Sequence, residues 1–83
     1  MLVEKVLWGT MKWYDPDQKF GFGIPEDGGI DILIHRNAYI GDVPLDKNFS
    51  RDQHLEIAYM LVENRPVNKP KAVAWRFVKQ EAS

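Results

Sequence analysis

The sequence predicts an all-β fold of five short antiparallel strands closed into a small barrel. Runs of branched and aromatic residues of strand length alternate with turn signals along the 83 residues. Residues 53–62 alternate between apolar and other side chains with a period of two, which is typical of a half-buried strand. Prolines and glycines leave no window with convincing helical periodicity. Closure into a barrel is expected because it removes the edges that an open five-stranded sheet exposes.

The strands are predicted over residues 2–14, 20–25, 31–36, 53–62 and 71–78. Gly9 marks a possible bulge or bend in the first strand. Residues 15–19 have the composition of a turn, and Asp27-Gly28 supplies the positive φ values of a primed hairpin turn. A short 3₁₀ turn at 37–40 and a long loop at 41–52 complete the connections.

Length and composition predict one domain over residues 1–83, with a core at 7–78 and a polar tail at 79–83. The chain has no cysteine, and its only two histidines, His35 and His54, lack metal-type spacing. No membrane-length apolar run and no signal-peptide pattern is present, so a cytoplasmic protein is expected. We expect no enzyme activity, no catalytic residues, no cofactor and no metal.

The formal net charge of −1 is unusual for a protein that binds nucleic acid by neutralising phosphates. Any such binding must rely on base stacking or on a locally favourable field. Phe20 and Phe22 share one face of their strand, and Gly21 and Gly23 share the other. The two phenylalanines fit either a stacking platform or the barrel core, but an outward face made of glycine is unusual, which favours the platform.

In the third strand, Ile32 and Ile34 are assigned to the core. Leu33 and His35 then lie on the outer face beside the phenylalanines. A Trp-Tyr pair precedes the phenylalanine strand, at Trp13. Aromatic surfaces of this kind hold the unstacked bases of single-stranded nucleic acid.

Three motifs carry a family resemblance: K-W-Y-D at 12–15, Q-K-F-G-F-G at 18–23 and I-L-I-H-R at 32–36. They are similar, without a gap, to the first strand, RNP1 and RNP2 of the cold-shock domain family. The resemblance implies an OB-fold, whose second and third strands bind oligonucleotides. It also implies that single-stranded RNA or DNA is the partner, without a choice between the two, and that binding keeps strands unpaired and so modulates transcription or translation.

The resemblance further implies a nucleic-acid-binding surface. Its residues are Lys12, Trp13, Tyr14, Gln18, Lys19, Phe20, Phe22, Asp31, Leu33, His35 and Arg36. Stacking on bases is implied for the rings of Trp13, Phe20, Phe22 and His35. Lys12 is expected to contact a phosphate or a base edge, and Asp31 to accept hydrogen bonds from a base edge.

The chain departs from the family pattern at four positions. Lys19 stands where RNP1 usually has glycine, and Gly23 stands where it has a core isoleucine or valine. Leu33 and Arg36 replace two RNP2 phenylalanines; arginine can still stack on a base, whereas leucine cannot. We therefore expect binding that is weaker or differently selective than that of a typical member.

A protein-interaction or dimerisation module on the same barrel is the alternative. In this alternative, Trp8 and Trp75 are expected to be exposed apolar side chains that a partner protein can contact. Considered by itself, Trp8 is expected to pack at the barrel end rather than to contact a ligand. Phe49 is expected to plug the barrel end rather than to swing over a ligand. The protein is expected to be a monomer or a homodimer, and strand exchange through the loop at 41–52 is one route to the dimer.

Overall fold

The computed structural model describes residues 4–62 and 70–78 and confirms the all-β prediction. Its strands are β1 (Glu4–Asp15), β2 (Phe20–Pro25), β3 (Ile32–His35), β4 (Phe49–Ser50), β5 (Glu56–Val62) and β6 (Ala74–Phe77). Two 3₁₀ turns, Arg36–Ala38 and Arg51–Gln53, precede β4 and β5 respectively. The predicted 3₁₀ turn at 37–40 is thus present, one residue earlier than expected.

Five main strands form one antiparallel sheet in the order β3-β2-β1-β5-β6, and the two-residue β4 pairs with the end of β1. The 12-residue β1 pairs with β5 through its first half and with β2 through its second half. The sheet curls into a half-barrel. Isolated parallel bridges from Leu33 to Lys71 and from Tyr39 to Trp75 join its two ends, as expected for the OB-fold.

The strand bounds differ from the prediction where irregular backbone interrupts the pattern. The strand predicted at 20–25 has those bounds, whereas β3 is one residue shorter at each end because Arg36 begins a 3₁₀ turn. The strand predicted at 53–62 begins only at Glu56 because Arg51–Gln53 is helical. The loop predicted at 41–52 contains β4, which is too short to show any periodicity.

The last strand was predicted over 71–78 but is confined to Ala74–Phe77. Before it, Ala72 is fully buried and Val73 is 49% exposed, the reverse of what continuous alternation back from the buried Trp75 would give. The predicted exposure of Trp75 is wrong: its side chain is fully buried, and its indole Nε1–H donates to the carbonyl of His35 at 2.8 Å. That bond ties β6 to the end of β3.

The core lies inside the half-barrel. Its fully or almost fully buried side chains include Met11, Tyr14, Ile32, Ile34, Ile57 and Trp75. The assignment of Ile32 and Ile34 to the core is confirmed. Phe49 is 5% exposed and packs against Phe77, with ring centroids 5.1 Å apart. The expected packing of Phe49 into the end of the barrel is therefore confirmed.

Two turns shape the ends of β2. Lys19 adopts φ = 66°, the left-handed conformation that glycine favours, and its amide donates to the carbonyl of Asp15 at 2.8 Å. The turn therefore persists although glycine is absent. After β2, the Gly28 amide donates to the carbonyl of Pro25 at 3.0 Å. Gly28, at φ = 80°, alone has a positive φ among residues 26–29, so the hairpin turn forms but is not of the primed type.

In the part of the chain that the structure describes, no helix has the length and apolar character needed to cross a membrane.

Candidate nucleic-acid interface

The outer face of β2 carries Phe20 and Phe22, both half-buried, while Gly21 and Gly23 on the inner face are buried. A Cβ on Gly21 would lie 2.0 Å from the carbonyl oxygen of Trp13, so only glycine permits this approach of β1 to β2. A Cβ on Gly23 would meet the Cδ1 of Ile57 at 2.5 Å. Ile57 therefore occupies the core space that a larger residue at 23 fills in the family pattern, and no register shift is needed.

A β-bulge at Lys12 places two consecutive residues of β1 on the outer face. Met11 pairs with Gly23 and Trp13 pairs with Phe22, so that Lys12 is the additional residue. Met11 is fully buried, whereas Lys12 and Trp13 are both half-buried on the outside. The bulge was not at Gly9, where a Cβ would lie 2.4 Å from the carbonyl oxygen of Ile24 and where glycine instead allows close packing.

Trp13, Phe20 and Phe22 form what we call the surface cluster. The ring of Trp13 lies 5.6 Å from that of Phe20 and 5.4 Å from that of Phe22, measured between centroids. Phe20 and Phe22 are 6.2 Å apart and nearly perpendicular, at 84°. These are the tilted and edge-to-face geometries that aromatic pairs prefer, so each ring helps to hold the others in place.

The third strand extends the surface cluster by two side chains. Leu33 pairs with Phe22, and His35 pairs with Phe20, and both are half-buried on the outer face. The His35 Nδ1 accepts a hydrogen bond from the Asn37 amide at 3.0 Å. A neutral imidazole that accepts at Nδ1 carries its proton on Nε2, which leaves Nε2–H as a donor toward a ligand.

An ion pair crosses the same face. The Lys12 ammonium lies 2.7 Å from a carboxylate oxygen of Asp31, and their side chains are 42% and 36% exposed. Both groups therefore remain reachable by solvent. The pair largely cancels their charges, so this face presents a hydrogen-bonded polar edge rather than a free cation.

Three further predicted residues lie at one end of this face. Gln18, Lys19 and Arg36 are all exposed. The Arg36 amide donates to the carbonyl of Lys19 at 2.9 Å, which brings the end of β3 against the turn between β1 and β2. Two cations are thus placed beside Phe20 and His35.

The prediction that the Tyr14 side chain lies at the margin of this surface is wrong. Tyr14 is 1% exposed, and its ring packs inside the barrel at 6.2 Å from Trp75 and 6.4 Å from Phe49. Alternation after Trp13 turns it inward. Burial raises the pKa of the Tyr14 phenol, with Arg36 opposing and Asp15 reinforcing that shift.

Three residues outside the predicted binding surface also lie on the outer face of β1 and β2. Thr10 pairs with Ile24, and both are half-buried next to Phe22 and Lys12. Trp8 is 46% exposed, which contradicts its expected packing at the barrel end. Parity along the strands, counted back from Lys12 and onward from Phe22, is the signal that identifies all three.

The arrangement is a half-exposed apolar surface with fixed rings, one polar edge and two cations at its end. Such a surface can stack planar groups and hydrogen-bond to their edges. Among the described residues, no group of three or more histidine, aspartate or glutamate side chains is placed to hold a metal ion.

No family model matches the chain, but curated cold shock proteins are similar to it. The chain is 33% identical over 58 residues to cold shock-like protein CspI of Escherichia coli, which covers 70% of this chain and 76% of CspI. It is 48% identical over 27 residues to the probable cold shock protein A of Mycobacterium tuberculosis, covering 32% of this chain and 40% of the relative.

A plant relative is similar to the chain over a smaller fraction of its own length. The cold shock domain-containing protein 4 of Arabidopsis thaliana is 47% identical over 30 residues, 36% of this chain and 15% of the relative. Several of the matches thus span less than half of the curated relatives' length. The extent of the CspI match, together with the five-stranded half-barrel, shows that the chain belongs to the cold-shock protein family.

Proposed function

We propose that this protein binds single-stranded RNA or DNA by stacking bases on the surface cluster. It acts without catalysis and keeps bound strands unpaired by mass action, and it thereby modulates transcription or translation. The observation that carries the proposal is the position of Trp13, Phe20 and Phe22. Three rings in mutual contact stay half-exposed outside a barrel whose core is already filled by other aromatic residues.

The energetics support stacking as the main source of affinity. Each base that stacks on an aromatic ring contributes about 1–3 kcal/mol, as measured by truncation of the ring. The net charge of −1 and the pairing of Lys12 with Asp31 leave few free cations at the centre of the surface. Affinity should therefore depend less on salt than it does for a binder that neutralises many phosphates.

The polar groups around the surface cluster give a modest source of preference. Asp31 can accept from a base edge, and the His35 Nε2–H can donate to one. Lys19 and Arg36 at the exposed end are available to phosphates, and the Arg36 guanidinium can also stack. Gln18 adds a further neutral hydrogen-bonding group there.

A protein-interaction or dimerisation role on the same barrel has weaker support. The full burial of Trp75 removes one of the two exposed tryptophans on which that reading depended. Val6 and Trp8 remain as exposed apolar side chains on β1, at 52% and 46% exposure. Sizing chromatography of the purified protein, with and without oligonucleotide, tests whether these residues support a homodimer.

The deciding experiment is titration with short oligo-dT and oligo-U at low and moderate salt, followed by tryptophan fluorescence. A Trp8→Phe variant is used in parallel, so that Trp13 is the only tryptophan outside the core. We expect saturable quenching in both proteins with a shallow salt dependence. The absence of saturable quenching, together with no binding in an assay with labelled oligonucleotide, would contradict the proposal and favour the protein-interaction role.

A further inference from the structure

Trp8 is a large aromatic side chain on the solvent side of the sheet, away from the surface cluster. It is 46% exposed, and the next residue, Gly9, is buried on the opposite face. A single exposed apolar residue is common and by itself indicates nothing. What distinguishes Trp8 is its surroundings on both sides, along β1 and across the sheet.

Along β1, a half-buried strip of outward side chains, which we call the shelf, connects Trp8 to the surface cluster. The outward residues run Trp8, Thr10, Lys12 and then, after the bulge, Trp13. Thr10 pairs with Ile24 and both are half-buried, so the shelf combines the apolar side chain of Ile24 with the polar groups of Thr10 and Lys12. At about 3.2–3.4 Å per strand residue, Trp8 lies roughly 13–17 Å from Trp13 along the strand, the lower figure leaving out the extra residue at the bulge. A strand of several nucleotides can span that distance.

Across the sheet, a cation stands beside Trp8. Trp8 pairs with Ala58 of β5, and Ala58 pairs with Arg76 of β6, so the three form one row on the outer face. Ala58 is only 4% exposed but does not belong to the hydrophobic core inside the half-barrel, so its small side chain lies on the outer face between the larger side chains of Trp8 and Arg76. Arg76 is exposed, and its Cα is two strand spacings, about 10 Å, from that of Trp8. The Arg76 Nη1–H donates to the carbonyl of Phe77 at 3.3 Å in an exposed hydrogen bond. Exchange of that bond for one to a phosphate would bring the guanidinium to a nucleotide whose base stacks on the indole.

Two carboxylates limit how much phosphate attraction this region can offer. Glu56 pairs with Thr10 from the β5 side and is exposed. Glu26 follows β2, and its amide donates to the carbonyl of Trp8 at 3.0 Å. Their repulsion of phosphates means that any gain from this region must come chiefly from the indole ring.

We infer that Trp8, with Arg76 beside it, forms a second stacking subsite for a nucleotide that extends beyond the surface cluster on the same single strand. The inference rests on the proposed function and adds a length dependence to it. A short oligonucleotide fills the surface cluster alone, and a longer one also reaches Trp8. The favoured occupant is nucleic acid rather than a second copy of the chain, because the shelf is continuous with the surface cluster and the flanking cation matches a phosphate.

The test measures fluorescence anisotropy of labelled oligo-dT of about four and about ten nucleotides, lengths within the range of OB-fold sites. For the wild type, the longer strand should bind more tightly. Trp8→Ala should weaken the longer strand about tenfold and leave the shorter one unchanged, because the lost contact is one stacked base. Trp8→Phe should retain most of the difference between the two lengths.

Val6→Ala is the matched control, because Val6 is an equally exposed apolar residue on the same face of β1. It should change neither affinity. Arg76→Gln should lower the affinity of the longer strand a few-fold and reduce its salt dependence by about one phosphate contact.

The outcomes separate this inference from the proposed function. Equal affinity of Trp8→Ala and wild type for the longer strand, with Phe22→Ala still defective for both lengths, would overturn the subsite and leave the surface cluster standing. Equal weakening of both lengths by Trp8→Ala would also overturn it. A change of oligomeric state in Trp8→Ala would assign Trp8 to a dimer contact. If neither length binds the wild type, both the subsite and the proposed function are wrong.

Discussion

Two groups of aromatic rings occupy opposite sides of the same sheet. The surface cluster has centroid separations of 5.4–6.2 Å, and the rings in the core, which we call the core cluster, lie 4.6–6.4 Å apart. The core cluster consists of Tyr14, Tyr39, Phe49, Trp75 and Phe77. The ring spacing is thus nearly the same, whereas the exposure differs: Tyr14, Phe49 and Trp75 are buried, with Tyr39 and Phe77 half-buried beside them, and no ring of the surface cluster is buried.

The exposure of the two clusters differs because different parts of the protein pack against them. The core cluster is enclosed by β4, β5 and β6, and Trp75 is additionally fixed by its bond to the His35 carbonyl. The surface cluster is packed on one side only, against buried glycines and the backbone of β1. Contact between rings therefore does not distinguish a structural aromatic cluster from one available to a ligand. The residues on the opposite face of the strand do make that distinction.

The largest expected effect is on the core cluster. Trp75→Ala should destabilise the fold by about 3–5 kcal/mol, because it leaves a cavity and removes the anchor of β3. Chemical denaturation followed by circular dichroism measures this loss. In a domain of this size such a loss can prevent folding altogether. A stable Trp75→Ala variant with unchanged midpoint would show that the core cluster does not hold the barrel together.

The corresponding change in the surface cluster should act on binding instead. Phe22→Ala removes one stacking ring and should weaken oligo-dT binding by about 1–3 kcal/mol. Its effect on the free energy of unfolding should be clearly smaller than that of Trp75→Ala, because Phe22 is only half-buried. Both quantities are measured on the same protein, by anisotropy and by denaturation. The reverse ranking would mean that the surface cluster is a structural feature.

Adding a ring to the surface cluster should increase the affinity for oligonucleotides. Leu33 lies beside Phe22 where the family pattern has phenylalanine. Leu33→Phe should strengthen oligonucleotide binding by about 1 kcal/mol, since it supplies one more stacking face. Ile34→Leu, next to it but facing the core, is the control and should leave affinity unchanged. Unaltered affinity of Leu33→Phe would show that bases do not reach β3.

Removing one atom from the core cluster should have the smallest effect. Among the described residues, the buried Tyr14 Oη has no hydrogen-bond partner. An unsatisfied buried hydroxyl is costly, so Tyr14→Phe should stabilise the fold by roughly 0.5–1 kcal/mol without changing affinity. Thermal unfolding at neutral pH measures the gain. A loss of stability would indicate that the hydroxyl has a bonding role.

The same substitution should change the alkaline limb of the stability curve. Burial raises the pKa of Tyr14, as it also does for Tyr39 and Tyr59. A raised pKa in the folded state means that the stability conferred by the neutral phenol is fully present below about pH 10. It is lost as the pH rises through the folded pKa. Tyr14→Phe should therefore lose less stability than the wild type above pH 10.

Much of this division could be predicted from the sequence. The alternation of Phe20 and Phe22 with glycines indicated which face is outward, because inward phenylalanines would have left an outer face made of glycine, which is unusual on a barrel strand. Ile32 and Ile34 were assigned correctly by the same period of two. Local alternation carries this information without any knowledge of the partner strands.

The errors arose where pairing between distant strands decides the outcome. The bulge at Lys12 exists only relative to β2, so nothing in β1 alone showed that Lys12 and Trp13 share a face while Tyr14 turns inward. Trp75 was expected outside, since a period of two does not say which face of a strand is inward; its burial depends on contacts with distant residues, among them the carbonyl of His35. At Lys19, the left-handed conformation is imposed by the connection from β1 to β2 despite the residue type.

The bulge in β1 also determines which residue of this surface can be substituted during evolution. Lys12 is an inserted residue: the pairs on either side, Met11 with Gly23 and Trp13 with Phe22, keep the alternation that a strand without it would have. Its side chain can therefore be exchanged without moving a ring or a core residue. In evolutionary terms, position 12 is where the ligand preference of the protein can drift while the fold stays constant. Because Lys12 meets Asp31, we expect substitutions at these two positions to arise together.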